Sequence, residues 1–173
     1  NRHVIDCVCT CYEPRYWDEI YGQHTSVSEC VHVLPGYVDE QLCERADACA
    51  RPQDRRRVDI GYRARQLPYR LGVLGHEKSR IADVFQQRCA STDLELDISC
   101  REQDRIYGMA WFGFLGNCRA VLGTESGASI TDLDGSVAAR CAALYDEDPT
   151  ITFEQASQRV LHEYEGRLPL RTI

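Results

Sequence analysis

From residue 57 onward the chain alternates short apolar runs with longer stretches of helical period. RVDIGYR (57–63), LELDIS (94–99) and CRAVLGTE (118–125) read as strands. Between them, HEKSRIADVFQQRCA (76–90) places Ile81, Val84, Phe85 and Cys89 at three-to-four spacing, which predicts a helix. REQDRIYGMAWFGFLGN (101–117) reads as a loop and then a helix carrying Ile106, Met109, Trp111, Phe112 and Leu115. LDGSVAARCAALY (133–145) and TFEQASQRVLHEYEG (152–166) predict two further helices, the second with Phe153, Ala156, Val160 and Leu161 along one face. Strand–helix–strand–helix–strand with short apolar strands is the pattern of a parallel sheet covered by helices. The expected class is therefore α/β, a Rossmann-like parallel sheet with flanking helices.

The first fifty residues are less regular. HVIDCVCTC (3–11) alternates, so Cys7, Cys9 and Cys11 would share one face of a strand. With His3 they offer a zinc set. Three thiols alternating on one strand fit one metal poorly, however, so packing is the reading the geometry favours. VHVLPGYVDEQLCERADACA (31–50) begins as a strand, breaks at Pro35-Gly36 and resumes as a short helix with Asp39 near its start. RPQDRRR (51–57) is a polar link. The implied domains are 1–50, the end of an N-terminal domain or an irregular lead-in; 51–57, a linker; and 58–173, the Rossmann-like domain.

Composition narrows the function classes. A chain of 173 residues holds one ordinary domain, or one with part of another. The formal charge of -7 argues against a nucleic-acid partner, which needs a basic face. No run approaches the roughly 20 apolar residues of a membrane span. Lys78 is the single lysine among many arginines. Ten cysteines at irregular spacings read as reduced, small buried thiols rather than a disulfide framework. The chain starts at Asn1 and ends LPLRTI, which suggests a fragment.

In parallel sheets, ligands bind at the carboxyl ends of strands, where loops meet helix N-termini. That rule gathers residues 63–78, 99–104 and 123–134 on one rim. In the first of these, Arg63 and Arg65 leave a strand, and Lys78 falls in the first turn of the expected helix. Free N–H groups there, with the added cations, would make a diphosphate pocket without a metal. The alternative is that these cations are solvated or paired with Glu77 and Asp59. In LGTESGASITDLDG (122–135), Gly123 and Gly127 permit a sharp turn that would project Glu125 toward a cleft, where a carboxylate accepts sugar hydroxyls. Thr124, Ser126 and Ser129 add neutral donors and acceptors. Helix capping by Ser129, Thr131 or Asp132 explains the same residues without a ligand. Arg101, Glu102, Asp104 and Arg105 read as a salt-linked helix start, His76 as a surface histidine, and Tyr107 and Trp111 as helix core. Neither H-E-x-x-H nor C-x-x-C is present, and no Ser-His-Asp set stands out, so hydrolase and redox readings lack their usual residues.

VLPGYV (33–38), DIGYRARQLPYRLGVLGHEK (59–78), DRIYGMAWFGFLGNCRAVLGTESGASITDLDG (104–135) and the closing LPLRTI resemble bacterial glycosyltransferases of GT-B type associated with surface-polysaccharide synthesis. The resemblance spans residues 31–173, and 116–135 is its most specific part. It implies two Rossmann-like domains facing a cleft. Residues 58–173 would be the nucleotide-sugar-binding domain, truncated at its C-terminus. The reaction implied is sugar transfer from a nucleotide-sugar donor to a hydroxyl of a glycan or lipid-linked acceptor. Arg63, Arg65, Lys78, Gly123, Thr124 and Gly127 would bind the donor and Glu125 would serve catalysis, with no cofactor and no metal. Location would be cytoplasmic, with peripheral association at the inner membrane face. Related sequences continue into a segment resembling S-P-R-x-F-E-A, whose acid would hold the ribose. This chain stops before it and lacks most of an acceptor domain, so inactivity alone is expected. The alternatives are a non-catalytic nucleotide- or glycan-binding module and a cysteine-rich metal-binding protein.

Overall fold

The computed structural model describes residues 5–34 and 36–172. In chain order the regular elements are β1 (Cys7–Thr10), β2 (Glu29–His32), α1 (Glu40–Cys49), β3 (Val58–Arg63), α2 (Gly72–Cys89), β4 (Leu96–Ser99), α3 (Met109–Asn117), β5 (Cys118–Val121), β6 (Ser126–Ala128), α4 (Ser136–Glu147), α5 (Phe153–Arg159) and β7 (Leu170–Thr172). The class is mixed α/β, with small parallel sheets flanked by helices. The chain divides into two compact units. Residues to Tyr37, Pro68–Gly75 and Glu125 onward make the first; Val38–Leu67 and His76–Thr124 make the second.

The second unit holds the sheet the apolar pattern predicts. Its order is β4-β3-β5, and both pairings are parallel, with Ile60 opposite Leu96 and Val58 opposite Cys118. Parallel neighbours need crossover connections, and α2 and α3 supply them. α1 starts where Asp39 accepts a hydrogen bond from Leu42 N at 2.8 Å, the N-cap expected of an aspartate before a helical run. Two glycines are fixed by packing. A Cβ on Gly116 in α3 would overlap the carbonyl oxygen of Cys49 at the end of α1, and one on Gly61 in β3 would overlap the Cys118 thiol. Close approach of backbones is what a missing Cβ permits.

The first unit is built on a different core. Ile130, Val137, Cys141, Leu144, Ile151, Phe153, Ala156, Val160 and Leu161 form one buried cluster, with Tyr69 and Tyr164 packed against it. α4 carries Val137, Cys141 and Leu144 inward at helical spacing. α5 opens with a complete capping box, Thr152 and Gln155 bonding each other's backbone N–H. β1 and β2 pair in parallel, with Val8 opposite Cys30.

Three expectations change. α2 starts at Gly72, not at His76, because its free N–H groups find acceptors far along the chain: Glu165 takes Val73 N at 3.3 Å and Ser129 Oγ takes Leu74 N at 3.4 Å. The last predicted helix ends at Arg159. Val160 leaves helical geometry and a 3-10 turn, Leu161–Glu163, follows, so that adjacent Val160 and Leu161 are both buried. The turn expected at 123–127 gives way to a strand, β6, antiparallel to β7, with Gly127 opposite Arg171. The break expected at Pro35 lies outside the described residues.

Candidate functional site

All three strands of the β4-β3-β5 sheet end on one edge, so the segments after Arg63, Ser99 and Val121 form its rim. A cavity of about 500 Å³ opens there, lined by Arg63, Arg65, Arg105, Tyr107, Trp111 and Phe112 among others. Its lining combines guanidinium and aromatic side chains. Trp111 stacks on Phe114 at 5.6 Å between ring centres, which fixes the indole from behind. Arg105 lies 4.9 Å over the Tyr107 ring and holds Glu102 at 2.6 Å.

Arg63 is drawn into the sheet itself. Its Nη1 donates to Tyr62 O at 2.9 Å and Asp97 O at 2.8 Å, and its Nη2 to Asp97 Oδ1 at 2.6 Å. The guanidinium also lies 4.6 Å over the Phe114 ring, and the side chain is 14% exposed. Arg65, two residues on, is exposed and makes no hydrogen bond or ion pair with any of the described residues. At the rim, then, one arginine braces the strand and the next is open to a ligand.

The 101–105 segment forms the salt-linked turn its charges suggest. Asp104 accepts from Ser99 Oγ and from Arg101, each at 2.7 Å. Ser99 first, then Arg101, hold its carboxyl below the ordinary range.

A second cavity, of about 380 Å³, is lined by Glu77, Arg80, Ile81 and Val84 of α2 together with Gly123 and Thr124. The 122–124 segment is pinned to β3 at its start, because Leu122 N donates to Gly61 O at 3.1 Å, and Thr124 lies beside the Tyr62 phenol. The Tyr62 phenol also donates to Lys78 O at 3.0 Å, and burial pushes its pKa up.

Arg63, Arg65, Lys78, Gly123 and Thr124 therefore belong to the second unit, while Glu125 and Gly127 belong to the first. Lys78 is the seventh residue of α2, beyond the four free N–H groups, so the helix-end argument for an anion does not reach it. It is half-buried and lines neither cavity. Gly123 has ordinary backbone geometry and room for a side chain; Gly127 has a φ of 135° within β6. Glu125 is exposed. The capping alternative holds for part of 122–135: Asp132 accepts from Val137 N and Ala138 N and closes the start of α4.

Sequence reasoning placed Arg105 in a salt-linked helix start and Tyr107 and Trp111 in a helix core, whereas all three line the rim cavity. Tyr107 is 64% exposed ahead of α3, not in a helix core. The signal was Gly108, whose φ of 58° ends the loop ahead of α3. His3, offered with Cys7, Cys9 and Cys11 as zinc ligands, lies outside the described residues. Among the described residues no three His, Cys, Asp or Glu side chains converge as a metal set, and no helix is long and apolar enough to cross a membrane.

Compared with known protein families, curated proteins and solved structures, the chain matches none.

Proposed function

We propose that the chain is the donor-binding part of a GT-B glycosyltransferase, and that it holds the nucleoside diphosphate of a nucleotide-sugar at the rim cavity. The observation that carries this reading is the pairing, in one cavity at the carboxyl edge of a parallel sheet, of the open Arg65 with Arg105, Tyr107 and Trp111. A diphosphate needs bidentate donors, and a nucleobase needs a ring to stack on. Arg65 and Arg105 serve the first and Trp111 the second. Arg63 serves by positioning, since its donors are taken up by Asp97 and Tyr62.

In the transfer, the bond from the anomeric carbon to the diphosphate oxygen breaks and the electron pair leaves with the nucleoside diphosphate. A bond forms from the acceptor hydroxyl oxygen to that carbon, and the hydroxyl proton passes to a carboxylate. The acceptor is a glycan or lipid-linked sugar. Guanidinium charge against the departing diphosphate is the electrostatic part of catalysis.

The test is a thermal-shift titration with UDP, GDP and ADP, followed by isothermal titration with the nucleotide that shifts. Saturation at a hundred times Kd adds about 2.7 kcal/mol, or a midpoint rise of roughly 5–10 °C for a chain of this size. Arg65→Ala should abolish the rise without lowering the unliganded midpoint. No shift with any of the three nucleotides would overturn the proposal.

A further inference from the structure

The opposite edge of the same sheet carries a second charged recess. Residues 51–57 run into the first residue of β3, and Arg119 is the second residue of β5. Together they line a cavity of about 820 Å³ with Arg51, Arg55, Arg56, Arg57 and Arg119, and a single acid, Asp54. This is an unusual concentration in a chain whose formal charge is -7.

The partners of these arginines decide how much charge is available. Arg119 is paired with Asp59. Arg56 donates through Nε to Arg51 O at 2.9 Å and through Nη1 to Cys118 O at 3.1 Å. Arg51 donates to the Asn117 amide oxygen at 2.9 Å. Carbonyls and amides orient a guanidinium without cancelling its charge. Among the described residues, Arg51, Arg55, Arg56 and Arg57 have no ion pair, and Arg55 and Arg57 are exposed. Two of the four are thus held in place by the backbone and a neighbouring side chain, and two are free to close on a ligand.

We propose that this recess binds a compact ligand bearing two or more phosphate groups. Four guanidinium charges against one carboxylate call for several negative charges, and the planar fork fits phosphate oxygens in pairs. A concave site favours a compact anion over a duplex, and the acidic remainder of the chain repels an extended polyanion. The ligand is a soluble oligophosphate or a doubly phosphorylated lipid headgroup, which present the same chemistry. The site does not depend on the nucleotide reading of the rim cavity.

Isothermal titration of the full chain at low salt with tripolyphosphate tests it, alongside sedimentation with phosphatidylcholine vesicles containing a phosphoinositide bisphosphate. Arg55→Ser/Arg57→Ser removes the two free guanidiniums, which touch nothing the fold needs. The expected loss is about tenfold or more in affinity for whichever probe binds. Arg55→Lys/Arg57→Lys keeps the charge without the fork and should fall between the two. Arg65→Ala, at the other edge, should leave intact the binding component that Arg55→Ser/Arg57→Ser removes, which separates this site from the rim cavity. Tripolyphosphate binding alone identifies a soluble ligand, and vesicle binding that depends on Arg55 and Arg57 identifies a headgroup. Failure of both probes to bind, or equal binding to the double serine variant, overturns the proposal.

Discussion

Replacing Arg63 with glutamine separates a sheet brace from a ligand contact. The guanidinium makes three hydrogen bonds, to Tyr62 O, Asp97 O and Asp97 Oδ1, and stacks on Phe114. A hydrogen bond from a charged donor contributes about 1.5 kcal/mol or more, and the ring contact adds about 1 kcal/mol. Two effects oppose these. The Asp97 side chain is 44% exposed, so water recovers its carboxylate once the partner is gone. Arg63 Nε is buried with no hydrogen-bond partner among the described residues, a desolvation cost of about 1–2 kcal/mol that the variant relieves. Glutamine also keeps one donor. The balance is a destabilisation of about 2–3 kcal/mol, within the range of a broken part-buried network. Urea unfolding followed by tryptophan fluorescence reads it as a lower midpoint at constant slope. Nucleotide affinity of the folded protein, measured well below the midpoint, should stay within about twofold of the parent. Arg65→Ala should show the reverse pattern. An Arg63→Gln protein that is as stable as the parent but no longer binds nucleotide would refute the reasoning and return Arg63 to the ligand.

Two further outcomes follow from packing and charge. Gly116→Ala should destabilise by about 1–2 kcal/mol, because overlap with the Cys49 carbonyl exceeds the gain of about 1 kcal/mol from helix propensity. Gly113→Ala on the same helix meets nothing within 4 Å and should stabilise; equal urea midpoints for the two variants would remove the close approach of α1 and α3. Asp59 accepts from Glu95 N at 2.8 Å and pairs with Arg119, and these contacts, the backbone bond first, hold its carboxyl below the ordinary aspartate value of 3.8. Its proton is bound more weakly in the fold than in the open chain, so its contribution is full above pH 3.8 and is lost as pH falls through the lower folded value. Asp59→Asn should therefore flatten the acid limb of stability against pH, and an unchanged limb would count against the contact.

The parts of the fold that the sequence made legible are those whose determinants are local. β3, α2, β4, α3 and β5 announce themselves because apolar spacing and strand length need only a few neighbouring residues. Asp39 as a cap is legible for the same reason. The misses are set by partners far along the chain. Gly72–Gly75 joins α2 because Ser129 and Glu165 satisfy its N–H groups, and nothing between residues 64 and 75 could disclose that. Ser126–Ala128 is a strand because Leu170–Thr172 lies beside it. At the rim, the strand-end rule pointed to the edge where a cavity opens and to Arg65 in its lining, but charge type alone could not tell Arg63, spent on Asp97, from its open neighbour. It also could not tell that Trp111 and Tyr107 line a cavity instead of filling a core.

The central position of β3 carries a consequence for the order of assembly. A strand flanked on both sides by later segments cannot complete its hydrogen bonding as the chain emerges. Its pairing with β4 becomes available once residue 99 has been made, and its pairing with β5 only after residue 121. In the interval one edge of Val58–Arg63 stands open, and open parallel edges form slowly and attract other chains. Gly61, which admits the Cys118 thiol in the finished sheet, leaves a notch on that edge until β5 arrives. The last strand to be synthesised in this sheet is thus the one that shields the first from aggregation, and slow elongation between residues 99 and 121 would lengthen the window of risk.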